Sequence, residues 1–193
     1  MNQEDNFTTD VKKAVEVLQQ GGIILYPTDT IWGIGCDATN AKAIKKIYDL
    51  KQRRASKSMI VLVEDEIRLR HHVGYVPETI YDLLESVKKP ISVIYPDAKN
   101  LSKEVIAEDG SIAIRITSHP FCQAMIRLLD KPIVSTSANI SGTISPIAFQ
   151  SIDKSIKENV DLVIPVCHET INEVKASTII QLKDDGSFKV LRD

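Results

Sequence analysis

Apolar residues recur along this chain in two spacings. From Val11 to Leu18 they fall at 11, 14, 15 and 18, the stripe of one helix face. Thr9 or Asp10 is placed to cap that helix, and Gly21-Gly22 to stop it. Ile23 to Tyr26 is a short unbroken apolar run and reads as a buried strand. Asn40 is the expected cap of a second helix, with Ala43, Ile44, Ile47 and Leu50 on one face. Met59 to Val63 is a second buried strand. Pro77 and Glu78 open a helix carrying Ile80, Leu83, Leu84 and Val87, and Ile91 to Tyr95 is a strand closed by Pro96. Ser111 to Ile116 reads as an apolar strand with a charge, Arg115, inserted in it. Thr117 or Ser118, with Pro120 in the first turn, begins a helix through Leu129. Pro132 to Val134, Val160 to Val166, Thr178 to Leu182 and Phe188 to Leu191 are further strands, the last two joined by a hairpin turn at Asp184-Asp185-Gly186. Helices and strands alternate early and strands dominate late, which predicts an α/β fold built on a mixed sheet.

A chain of 193 residues fits one domain. The three cysteines are far apart and form no CxxC pair, so neither a zinc site nor a disulfide framework is expected. The polar, acidic N-terminus resembles no signal peptide, and no apolar run approaches the ~18 residues of a membrane span. The expected location is the cytoplasm. Net charge is −2, yet from Lys42 to Lys57 seven basic residues face one acid, Asp49. A basic cluster on an acidic chain points to a phosphate-bearing partner or to a solvated helix face.

Several familiar motifs are excluded. Gly33-x-Gly35-x-x-Ala38 formally matches a dinucleotide fingerprint, but Pro27 to Trp32 separates it from its strand, and basic residues occupy the place of the required acid. No phosphate-binding GxxxxGK[ST] and no GxSxG elbow occur. His71, His72, His119 and His168 form no metal-binding spacing and read as surface or capping residues. Three features remain. Tyr26 to Gly35 sets hydroxyls, a carboxylate, an indole and two glycines just past a strand. From Ser135 to Thr143, six of nine positions carry a hydroxyl or amide, beyond another strand, where such groups cradle anions. Lys51 and Arg53 can face one anion from a non-helical segment, and Arg115 needs an anionic ligand or an internal acid.

In order and spacing these pieces resemble the YrdC family of threonylcarbamoyl-AMP synthases, over about Val11 to Arg192. Tyr26-Pro27-Thr28-Asp29-Thr30 with Gly33-Ile34-Gly35 matches its YPT(E/D)T…GLG stretch, and Lys51-Gln52-Arg53 its KxR. Ser137-Ala138-Asn139 matches its SxN, Ser177-Thr178-Ile179 its late STI, and Leu191-Arg192 its closing LR. The resemblance implies one YrdC-like domain over residues 1–193, a twisted mixed sheet with flanking helices and a concave basic cavity. It also implies a nucleotidyltransferase reaction. Threonine and bicarbonate give N-carboxythreonine, whose carboxylate attacks the α-phosphorus of ATP, leaving threonylcarbamoyl-AMP and pyrophosphate. A separate transferase complex would pass the threonylcarbamoyl group to A37 of tRNA.

Carried over by position, Lys51, Arg53, Ser137 and Asn139 form the catalytic set. Arg53, Lys57, Ser111, Ser137, Ser145 and Arg192 would bind ATP. Thr30, Ser135 and Ser177 would line a threonine pocket, with Arg115 on the threonine carboxylate. Mg2+ is expected to arrive with ATP, with no tightly bound cofactor, no protein-held metal and no membrane partner. The chain departs from the family at Arg54 and Ser58, where prolines are usual, and at Leu62, where a histidine is. A competing reading is a paralogue that binds double-stranded RNA or tRNA without activating threonine. The low aromatic content, 5%, disfavours base stacking and hence that reading.

Overall fold

The computed structural model describes residues 3–52, 59–170, 176–183 and 185–193. Helix α1 spans Gln3–Gln19, longer than the cap at Thr9 or Asp10 predicted. Phe7 explains the extension, because it adds one more position to the apolar stripe and packs edge-to-face on Phe121 at 5.8 Å. Strand β1 (Ile24–Tyr26) follows, then β2 (Gly33–Gly35). Helix α2 (Ala41–Leu50) begins where expected, with the Asn40 side chain accepting from the N–H groups of Lys42 and Ala43 at 3.1 Å each. Next come β3 (Ile60–Val63), α3 (Glu66–His72), α4 (Glu78–Ser86), β4 (Ile91–Tyr95) and β5 (Ile112–Ile116). Then follow α5 (Pro120–Leu129), β6 (Ile133–Ser137), α6 (Lys154–Glu158), β7 (Leu162–Val163), β8 (Thr178–Leu182) and β9 (Phe188–Arg192). The turn before β9 closes as predicted, with Gly186 at φ +79° and Ser187 O accepting from Lys183 N.

Among the described residues nine strands join in one sheet, in the order β7-β1-β2-β6-β3-β5-β4-β8-β9. It is mixed, as the alternation predicted: β1–β7, β3–β5 and β4–β8 are parallel, and the other pairs antiparallel. Three elements were not predicted. Strand β2 is Gly-Ile-Gly, a composition with little strand preference, and it exists because β1 and β6 supply partners on both sides. Helices α3 and α6 are short, and capped by Asp65 and Asp153.

His71 is exposed, as the surface reading expected, and His119 stands at the N-cap of α5, but burial corrects the rest of that reading. His72 and His119 are buried, and His168 packs among Phe7 and Phe121 with Nε2 2.8 Å from Asp10 Oδ2. No described helix is long and apolar enough to cross a membrane.

Candidate active site

Side chains alternate across a strand, so strand register decides which residues share a face. Gly33 lies opposite Ser137, Ile60 opposite Ser135, and Leu62 opposite Arg115. Across β4 and β8, Ser92 lies opposite Ile179, which in turn lies opposite Arg192. These residues therefore occupy one face of the sheet, from β2 to β9. A cavity of about 180 Å³ opens on that face. Thr30, Arg115, Ser135, Ser137, Ser145, Ser177 and Arg192, all predicted site residues, line it. Among the described residues the lining supplies hydroxyls and two guanidinium groups, and no carboxylate.

The Tyr26–Gly35 segment forms one wall. Thr28 Oγ1 donates to Ile31 O at 2.8 Å and accepts from Thr30 N at 3.1 Å, closing a turn that sets Thr30 at the cavity. The Thr28 and Thr30 hydroxyls are 2.9 Å apart. Trp32, to which the sequence reading gave no role, also lines the cavity. Its Nε1 donates to Glu169 Oε1 at 3.0 Å, and its ring lies 4.8 Å from that of Phe149. The two glycines do different things. A Cβ on Gly33 would stand 3.2 Å from Ser135 Oγ, at the cavity. A Cβ on Gly35 would collide with the Val134 carbonyl and the Tyr26 ring, so that glycine admits protein rather than a ligand.

Arg115 is only 3% exposed and has an internal acid: its Nη2 stands 3.0 Å from Asp29 Oδ1, on a carboxylate that is 2% exposed. Asp29 Oδ2 also accepts from Ser118 N at 3.3 Å. The Arg115 Nε has no hydrogen-bond partner among the described residues. Arg192 reaches the cavity from the far edge of the sheet. Its Nε and Nη2 donate to Ser177 O at 3.1 and 2.7 Å, while the Ser177 hydroxyl lies 2.8 Å from that of Ser92. Desolvation, and then the Arg115 charge, pushes the Arg192 guanidinium below its ordinary value. Two like charges held at one cavity are relieved by an anion between them.

Lys51 faces the serine-rich loop. It is 1% exposed and absent from the cavity lining. Its Nζ donates to Ser137 O and, at 2.6 Å, to Asn139 O. Its own carbonyl accepts from Ser141 N at 2.9 Å, so the end of α2 is tied three times to the serine-rich loop. Asn139 is likewise turned inward. Its Oδ1 accepts from Ser137 Oγ at 2.5 Å, and its Nδ2 donates to Thr143 O at 2.6 Å and Ile140 O at 3.1 Å. Ser111 lies outside the lining, in a turn where its N–H meets Asp109 Oδ1. Leu62 is fully buried. Arg53, Arg54, Lys57 and Ser58 lie outside the described residues, as does Asp184 of the hairpin turn.

The geometry agrees with what the chain is similar to. The family model Sua5_yciO_yrdC, described as "Telomere recombination", matches residues 16–193. A protein of Psychromonas ingrahamii named threonylcarbamoyl-AMP synthase is 36% identical over 78% of this chain and 81% of its own length. One of the same name from Vibrio parahaemolyticus is 32% identical over 97% of this chain and 98% of its own. Among solved structures, P. abyssi Sua5 complexed with L-threonine superposes with a TM-score of 0.85 at 23% identity. It covers 94% of this chain, which spans only 53% of that longer protein. E. coli YciO superposes with a TM-score of 0.81 at 25% identity, over 95% of this chain and 88% of its own. The shared sheet, the motif residues gathered at one cavity and a family match over nearly the whole chain agree: this chain belongs to the Sua5/YciO/YrdC family.

Proposed function

We propose that the chain is a threonylcarbamoyl-AMP synthase, an enzyme of the nucleotidyltransferase class. The observation that carries this reading is the convergence of Arg115 and Arg192 on a hydroxyl-lined cavity that has no carboxylate among its described residues. A site of that kind suits a ligand carrying carboxylate and phosphate groups. A volume of about 180 Å³ suits the amino-acid end of the ligand. Met59 and Ala176, which line the cavity, adjoin in sequence the segment bearing Arg53 and Lys57 and the segment 171–175. The nucleotide would extend past Ser137 and Ser145, which also line the cavity.

In the reaction, the threonine amine bonds to the carbon of bicarbonate and a carbon–oxygen bond there breaks to release water, giving N-carboxythreonine. One oxygen of the new N-carboxylate forms a bond to the α-phosphorus of ATP. The bond from that phosphorus to the bridging oxygen breaks, and its electron pair leaves with pyrophosphate. The chain's part is positioning and charge neutralisation. Arg115, oriented by Asp29, would hold the threonine carboxylate. Thr30, Ser135 and Ser177 would hold the amino-acid end, and Ser137 and Arg192 the phosphates. Lys51 and Asn139 would act through the loop they brace. Magnesium would enter as part of the ATP substrate. The product would pass to a transferase acting on tRNA.

The test is incubation with ATP, Mg2+, bicarbonate and labelled threonine. Threonine-dependent release of pyrophosphate together with threonylcarbamoyl-AMP is expected. ATP turnover indifferent to threonine, or salt-sensitive RNA binding without turnover, would overturn the reading in favour of an RNA-binding member of the family.

A further inference from the structure

A second cavity, of about 530 Å³, lies on the other side of the Asp29–Arg115 pair from the first, within the ~300–1,000 Å³ range of small-molecule sites. It sits beyond the carboxyl ends of β3 and β5, which are parallel neighbours. Crevices at the carboxyl ends of parallel strands are where open α/β sheets accept ligands. Five carboxylates line it, from Asp29, Glu64, Asp65, Glu66 and Glu85, against two lysines, Lys88 and Lys89.

Acids in number make no site, and several of these are already used. Asp65 caps α3, Glu66 lies near Arg70, and Asp29 pairs with Arg115. Glu64 is different. It is 6% exposed, and its Oε1 accepts from Arg68 Nε at 3.1 Å. Its Oε2 is buried without a hydrogen-bond partner among the described residues. A buried carboxylate oxygen left unpaired is costly, and a cationic donor removes the cost. Leu84, Val87, Ile91 and Ile116 give the wall an apolar part, beside the neutral polar Thr117, Ser118 and Gln123, and Ile67, also in the lining, is 82% exposed. The matching ligand carries a cation on a short apolar chain.

We propose that this second cavity binds an amphipathic organic cation, a guanidinium or primary amine, with Glu64 as its anchor. The proposal does not depend on the reaction proposed for the first cavity. The test is calorimetric titration of the full chain with butylguanidinium and with n-butylurea, its uncharged counterpart of similar shape. Saturable binding of butylguanidinium alone is expected. Glu64→Gln should weaken it about tenfold or more, as losing one charge-assisted hydrogen bond requires. Because Glu64 also contacts Arg68, the exposed Glu85→Lys serves as a second variant that leaves the core untouched and should weaken binding by adding a positive charge. No saturable heat, equal binding of both probes, or binding unchanged in both variants would overturn the proposal.

Discussion

Lys51 is a buried cation whose ammonium faces main-chain carbonyls, and this decides what it can do. With Nζ on Ser137 O and Asn139 O, it fixes the loop that presents the Ser137 hydroxyl. Replacing it with methionine would leave both carbonyls without that donor. Lys51→Met is therefore expected to destabilise the fold by about 1–3 kcal/mol in urea unfolding and to lower turnover with it. A Lys51 that touched only phosphate would lose turnover with no change in the unfolding midpoint. Arg115 shows the complementary case. A lone charge in an apolar strand already called for an anion, but residue 29 and residue 115 meet only in the folded chain. Asp29, unassigned from its own motif, acquires its role from that contact.

At the scale of the element, β2 is the narrowest part of the frame. It is three residues long, and both neighbours press on it. Its two glycines should separate in experiment. Gly35→Ala forces a methyl group into the Tyr26 ring and the Val134 carbonyl, and should lose about 1–3 kcal/mol of stability. Gly33→Ala meets Ser135 Oγ, Thr28 Cγ2 and Thr136 O at 3.2, 3.4 and 3.5 Å, none of them a collision, so its methyl group should lower turnover far more than stability. Thermal melts run beside the pyrophosphate assay separate the two, and equal effects on stability would contradict the assignment. Period 2 was visible in the apolar strands, and it places Ser135 with Ser137 on one face. That Arg115 shares this face follows from register, which needs the pairing partners.

Across the whole molecule, burial sets a pH dependence. Desolvation lowers the pKa of His72 and of His119 below the usual 6.5. Both stay neutral in the folded chain while the unfolded chain takes up protons, so stability rises with pH through this range. It is fully present above about pH 6.5 and is lost as pH falls through the lower folded values. Melting temperature should therefore drop between about pH 7 and pH 5, and a His72→Gln, His119→Gln double variant should show a shallower drop. A melting temperature rising on acidification would contradict the burial.

What the sequence by itself determined is local or carried in the order of motifs. The helix faces, the Asn40 cap, the strands at Ile91–Tyr95 and Thr178–Leu182 and the family resemblance all rest on residues close together in the chain. Spacing and short-range hydrogen bonds act there, so a pattern suffices. Tertiary structure alone decided three further things. It made a strand of Gly33–Gly35 by flanking it. It set the Lys51 ammonium as a brace on the carbonyls of residues 137 and 139, which lie within reach only after β6 docks. It placed Asp29 between Arg115 and a second, acid-lined cavity. Each depends on groups far apart in sequence, whose approach is governed by sheet register and core packing rather than by any local preference.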